Sequence, residues 1–167
     1  MKRRQLLLHG TRALLLASPL AALLSACARH ARDTGPEPVR LGRDVCTRCQ
    51  MVLSDVRFVA EVRGGPDAAL RKFDDVGCAV TWLAGQAWGA DPAVRIWVAS
   101  LASRGESPEW LDARRAVYRP GHRSPMGYDY GAVAATAAAA PPTAMGAADA
   151  GDVDFATLQH AALARGY

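Results

Sequence analysis

The feature that most limits what this chain can fold into is an apolar run near its start that stops at a cysteine. Residues 13–24 are small and apolar, follow a basic head (Lys2, Arg3, Arg4 and, further on, Arg12), and end in Leu24-Ser25-Ala26-Cys27. The run is shorter than the roughly 20 apolar residues a bilayer-spanning helix needs, and the layout is that of a secretory leader. Small residues just before a cysteine form the lipobox pattern at which bacterial lipoprotein leaders are cut. The expectation is a signal peptide over residues 1–26 and a lipid-bearing Cys27 that holds the mature chain at a membrane surface. The competing reading is an ordinary cleavage site with a chance cysteine. Arg3-Arg4-Gln5-Leu6-Leu7 loosely matches a twin-arginine export signal; a plain Sec leader is the preferred route.

Removing the leader changes the charge. The whole chain has 20 Lys and Arg against 16 Asp and Glu. Lys2, Arg3, Arg4 and Arg12 leave with the leader and no acidic residue does, so the mature chain is balanced. A neutral chain has no electrostatic footprint for nucleic acid, and that class of partner is excluded. About 140 of the 167 residues remain, enough for one domain or two small halves packed together. Residues 27–43, polar and carrying Gly35, Pro36 and Pro38, read as a lipidated flexible tether. With two or three acyl chains on Cys27 attachment is stable. Ala28, where an aspartate would hold a lipoprotein back, points to the outer membrane, with the folded part facing the periplasm.

Beyond the tether the hydropathy follows the period of strands and then of a helix. Residues 56–63 alternate roughly with period 2, Gly64-Gly65-Pro66-Asp67 marks a turn, and residues 69–73 are a short returning strand. Asp74 or Asp75 is placed to cap a helix over 76–87, with Val76, Val80, Leu83 and Ala87 near helical spacing. The order recurs: residues 93–101 predict a strand, residues 110–119 another ending at Pro120-Gly121, and residues 126–130 lead into an alanine-rich stretch. There the alanines favour helix before Pro141 and loop after it. Asp152 is placed to cap a last helix whose apolar face carries Phe155, Leu158, Ala162 and Leu163. The fold expected is α+β: two small ββα-type halves, 44–92 and 93–167, behind the tether.

Three thiols lie beyond Cys27: Cys46, Cys49 and Cys78. Cys46 and Cys49 are spaced so that both sulfurs can face one point from a tight turn. Met51 follows Cys49 by two residues, which on an extended backbone puts both side chains on one face. Thiolates and a thioether are soft donors that select Cu(I), whereas zinc rarely takes a thioether. Competing readings are a Cys46–Cys49 disulfide, a thioredoxin-like redox pair, and a closed zinc site that recruits Cys78 and His122. Met51 as core filler is the plain alternative for that residue. Cys78 falls in the first turn of the expected helix, where the dipole favours a thiolate, although a buried structural cysteine is the commoner fate. His122 and Met126 lie in a loop able to close over the site; His160 and His30 are expected at the surface. No serine elbow, phosphate loop or HExxH motif is present, so the chain is read as a carrier and not an enzyme.

The ordered set Cys27, Cys46-x-x-Cys49-x-Met51, Phe73-Asp74-Asp75-Val76-Gly77-Cys78, Trp110-Leu111-Asp112-Ala113 and Pro125-Met126-Gly127 resembles the NosL family, the accessory lipoproteins of nitrous oxide reductase. The resemblance implies a Cu(I) chaperone that delivers copper to apo nitrous oxide reductase for its copper–sulfide centre, on a fold of two ββα-type halves. It implies Cys49 and Met51 as first copper ligands and Cys46 as a second-rank one. Met126 matches a family position that either binds metal or packs. Gln50 departs from the glycine common between the Cys and the Met, which bears on the local turn.

Overall fold

A computed structural model of the protein describes residues 35–135 and 151–166. The leader, Cys27 and the alanine-rich residues 136–150, where a helix is expected before Pro141, lie outside the described residues. The elements, in chain order, are β1 (Ala60–Gly64), β2 (Ala69–Phe73), α1 (Val76–Ala84), β3 (Arg95–Ala99), β4 (Trp110–Asp112), β5 (Val117–Pro120), β6 (Tyr130–Val133) and α2 (Phe155–Arg165). Strands β1 to β4 form one antiparallel sheet in the order β2-β1-β3-β4, and β5 pairs with β6 in a second, two-stranded sheet. The α+β class expected from the sequence is borne out. Among the described residues, no helix is long and apolar enough to cross a membrane.

Antiparallel partners share a face, and this sorts the large sheet into two surfaces. Ala60 lies between Phe73 and Val98, and Val62 is opposite Ile96; all five are buried. Helix α1 closes over the core with Val76, Ala79, Val80 and Leu83, also buried. Each fully buried Val, Leu, Ile or Phe stabilises the fold by roughly 1.5–3 kcal/mol. The other face carries the row Lys72, Glu61, Trp97 and Asp112.

The chain reaches that second face earlier than expected. Residues 36–43 belong to the folded body, which begins at Pro36, and are not part of a tether. Val39 is buried, the Glu37 N–H donates to Glu61 Oε2 at 2.8 Å, and Lys72 Nζ donates to the Pro38 carbonyl at 2.7 Å. Polar composition and two prolines disguised a segment whose backbone is pinned by side chains from the sheet.

Several boundaries also differ. Residues 56–58 form a turn, so β1 begins only at Ala60, and α1 stops at Ala84 with Gly85 as its C-cap. The single strand expected over 110–119 is two strands in different sheets. Asp112 causes the break: its Oδ1 accepts from Arg114 N–H at 2.9 Å and its carbonyl from Ala116 N–H at 2.9 Å, closing a turn. The second half thus carries four strands, two of which complete the sheet begun by the first half. The cap of α2 is Asp154, which accepts from Thr157 N–H at 2.8 Å; Asp152 instead pairs with Arg119. On α2, Leu158 and Ala162 are buried, Phe155 packs partly, and Leu163 is exposed.

Candidate metal centre

The segment that carries Cys46 and Cys49 is a small hairpin. Val45 pairs with Val52, the Leu53 N–H donates to the Asp44 carbonyl at 2.9 Å, and the Cys46 N–H donates to the Met51 carbonyl at 2.8 Å. Its tip turns through residues 47–49. Gln50 closes the turn with φ +62°, the left-handed region that glycine adopts most easily. Its side chain offsets part of that cost, since Nε2 donates to the Thr47 carbonyl at 2.8 Å and to the Cys46 carbonyl at 3.3 Å. The hairpin docks on β2 and on the start of α1. Thr47 N–H donates to the Lys72 carbonyl at 2.8 Å, and Ser54 N–H donates to Asp74 Oδ1 at 2.7 Å.

Asp75, next in sequence, is the N-cap of α1 and accepts from Gly77 N–H at 2.9 Å. Its second oxygen accepts from Ser124 Oγ at 2.5 Å and from Met126 N–H at 3.4 Å, which fastens the loop 121–129 to the same helix end. Tyr128 of that loop lies against Gly77, where a Cβ would come within 2.0 Å of the ring. The two aspartates thus bring three distant segments together at the first turn of α1, where Cys78 sits. Burial dominates both carboxyls: it raises the pKa of Asp74 and pushes Asp75 up to about 6.

There the three thiols meet. The sulfurs of Cys46, Cys49 and Cys78 all lie within 4.8 Å of one another, and all three are free. Around a metal about 2.3 Å from each of three sulfurs in a plane, the sulfurs stand about 4 Å apart, so the cluster could hold a metal ion after small side-chain adjustments. Cys46 and Cys78 are fully buried, and Cys49 is half-buried. The thiols are electrically unequal. A hydrogen bond from the Cys78 thiol, helped by backbone N–H groups of Cys49, Asp74 and Arg48, lowers the Cys46 pKa to about 5 against the opposing effect of burial. The same contact with Cys46, and then burial, pushes Cys78 strongly upward, and burial raises Cys49. Cys46 is therefore the first thiolate, and an incoming soft cation would displace the remaining protons.

The structure brings Cys46 and Cys49 together as their spacing predicts and adds Cys78, which sequence reading left unassigned. The signal for Cys78 was its place in a helical first turn behind two aspartates. Met51 is 54% exposed. The extended backbone from which a shared face with Cys49 was expected is interrupted at Gln50, whose φ is positive. Met126 packs partly against the core with its backbone on Asp75. Among the described residues, neither His122 nor any other histidine, aspartate or glutamate joins the three sulfurs. His160 is exposed, as expected. The CxxC pair lies in a hairpin turn rather than at the start of a helix, unlike a thioredoxin-type site. No protein-family model matches the chain, and a comparison with curated proteins yields no match.

Proposed function

We propose that the protein is a lipid-anchored Cu(I) carrier of the cell envelope, a NosL-type chaperone that delivers copper for the copper–sulfide centre of nitrous oxide reductase. The observation that carries the reading is the convergence of three cysteine sulfurs within 4.8 Å with no harder donor among them. A soft, three-sulfur set suits Cu(I), which accepts two or three ligands, better than zinc, which closes a tetrahedron. The resemblance of the ordered motifs supplies the acceptor and the envelope location. In this reading Cys46 and Cys78 hold the ion from below, and Cys49, the most accessible thiol, is the ligand exchanged with an incoming donor. Met51 is the thioether next to that exit. Transfer then runs through a shared-ligand intermediate down a gradient of affinity, without catalysis.

The experiment is anaerobic Cu(I) titration of the reduced mature protein and of Cys46→Ser, Cys49→Ser, Cys78→Ser and Met51→Ala, with X-ray absorption on the loaded form. One tight Cu(I) with sulfur neighbours is expected, weakened about a hundredfold or more by each cysteine change and less by Met51→Ala. Undiminished affinity in all three cysteine variants would sink the site. A membrane-anchored thiol oxidoreductase is the competing class. It requires turnover of a disulfide substrate, lost with Cys46→Ser, and no stoichiometric copper.

A further inference from the structure

The same hairpin that carries the thiols also concentrates the exposed apolar surface. Four large hydrophobic residues are exposed among the described residues, and three of them are Val45 at 46%, Met51 at 54% and Val52 at 48%; the fourth is Leu163. Val45 and Val52 are cross-strand partners and so share a face. Scattered exposed apolar residues are ordinary, but clustering on one short hairpin marks a binding surface. The charge around it is one-sided. Asp44 is engaged by Lys72 and Arg40, and Asp55 by Arg57, whereas Arg43 and Arg48 form no ion pair among the described residues. Cys49, half-buried in the turn of the same hairpin, is the most accessible of the three thiols.

We infer that Val45 and Val52, which share one face of the hairpin and are flanked by Arg43 and Arg48, form the docking surface for the copper acceptor, an acidic protein surface with a small apolar centre that brings a soft donor to the turn carrying Cys49 and Met51. This rests on the copper-carrier reading. The patch is small, in keeping with a transient contact that must release its partner. Unpaired arginines at its rim steer a negatively charged partner and make the encounter salt-sensitive.

The test follows copper leaving the Cu(I)-loaded mature protein toward apo nitrous oxide reductase and, separately, toward a small bidentate Cu(I) chelator. Val45→Ser/Val52→Ser and Arg43→Glu leave every sulfur in place. Both variants are expected to keep the chelator-measured affinity and exchange rate, while transfer to the reductase slows about tenfold at low acceptor concentration. The Arg43→Glu variant should also lose most of the salt dependence. Equal transfer rates for wild type and the double variant overturn the assignment. So does a wild-type dimer that the double variant converts to monomer, which makes the rim an interface between copies. If loaded wild type exchanges with the chelator but never with the reductase, the acceptor and its docking surface both fall. If wild type holds no Cu(I), it is the carrier reading that fails.

Discussion

Tyr128 sits where a side chain on Gly77 would be: a Cβ there would lie 2.0 Å from the ring. Gly77 occupies the first turn of α1, one residue before Cys78, and Tyr128 belongs to the loop that Asp75 fastens through Ser124 and Met126. The close approach is what lets the loop 121–129 lie on the helix end that carries the buried thiol.

Gly77→Ala should therefore destabilise the fold, although alanine is the better helix former by about 1 kcal/mol. Expelling a buried tyrosine outweighs that gain, and a net loss of about 2–4 kcal/mol is expected in denaturant unfolding. In a Tyr128→Ala background the same change should reverse sign and stabilise slightly. Additive effects across the four proteins of this cycle would show that the ring is not what Gly77 accommodates.

Gln50 is the second backbone position with a clear expectation. Gln50→Ala keeps the left-handed φ and loses both amide hydrogen bonds to the Thr47 and Cys46 carbonyls. It should cost about 1–2 kcal/mol. Gln50→Gly loses the same bonds but relieves the strain, and should be the more stable of the two by about 1 kcal/mol. Equal stability of the two variants in chemical denaturation would refute the strained turn.

Glu61 gives the fold a pH dependence that can be separated from the thiols. It is buried in β1, an inner strand of the large sheet; Oε2 accepts from Glu37 N–H, and Oε1 has no hydrogen-bond partner among the described residues. Burial pushes its carboxyl from an ordinary 4.5 up to about 7, partly countered by that N–H and by Lys72. The folded state then binds the proton more tightly than the unfolded one. Its stabilisation is complete below about pH 4.5 and is lost as the pH rises through about 7. Glu61→Gln, a neutral mimic, should gain on wild type across that window, by roughly 5 °C in Tm or more at pH 8. Parallel Tm curves from pH 4 to 8 would exclude the shift.

What could be read from the chain were the features written in neighbouring residues. The CxxC turn, the hairpin Ala60–Phe73 with its Gly-Gly-Pro-Asp link, and the start of α1 at Val76 each have a local physical cause. The aspartate pair was visible but ambiguous: Asp75 caps the helix, while Asp74, also buried, accepts from Ser54, twenty residues back. Strand β6 was hidden because it runs directly into an alanine-rich stretch that favours helix. Gly131 in it is required by the Leu101 side chain, which a Cβ would meet at 2.4 Å, a contact no local pattern reveals. Cys78 joined the site for the same kind of reason. Its partners lie about thirty residues away and meet it only because Thr47 hangs on Lys72 and Ser54 on Asp74.

Lys72 has a mechanical role implicit in its contacts. Its ammonium grips the Pro38 carbonyl and Asp44, while its own carbonyl supports Thr47 at the base of the thiol turn. Tension applied to the chain ahead of Pro36 meets Glu61 and Lys72 on the back of the sheet first, and the interstrand ladder of β1 and β2 takes up the load. Pulling on the leading end therefore has to break the Glu61 and Lys72 contacts before the load reaches the thiol turn.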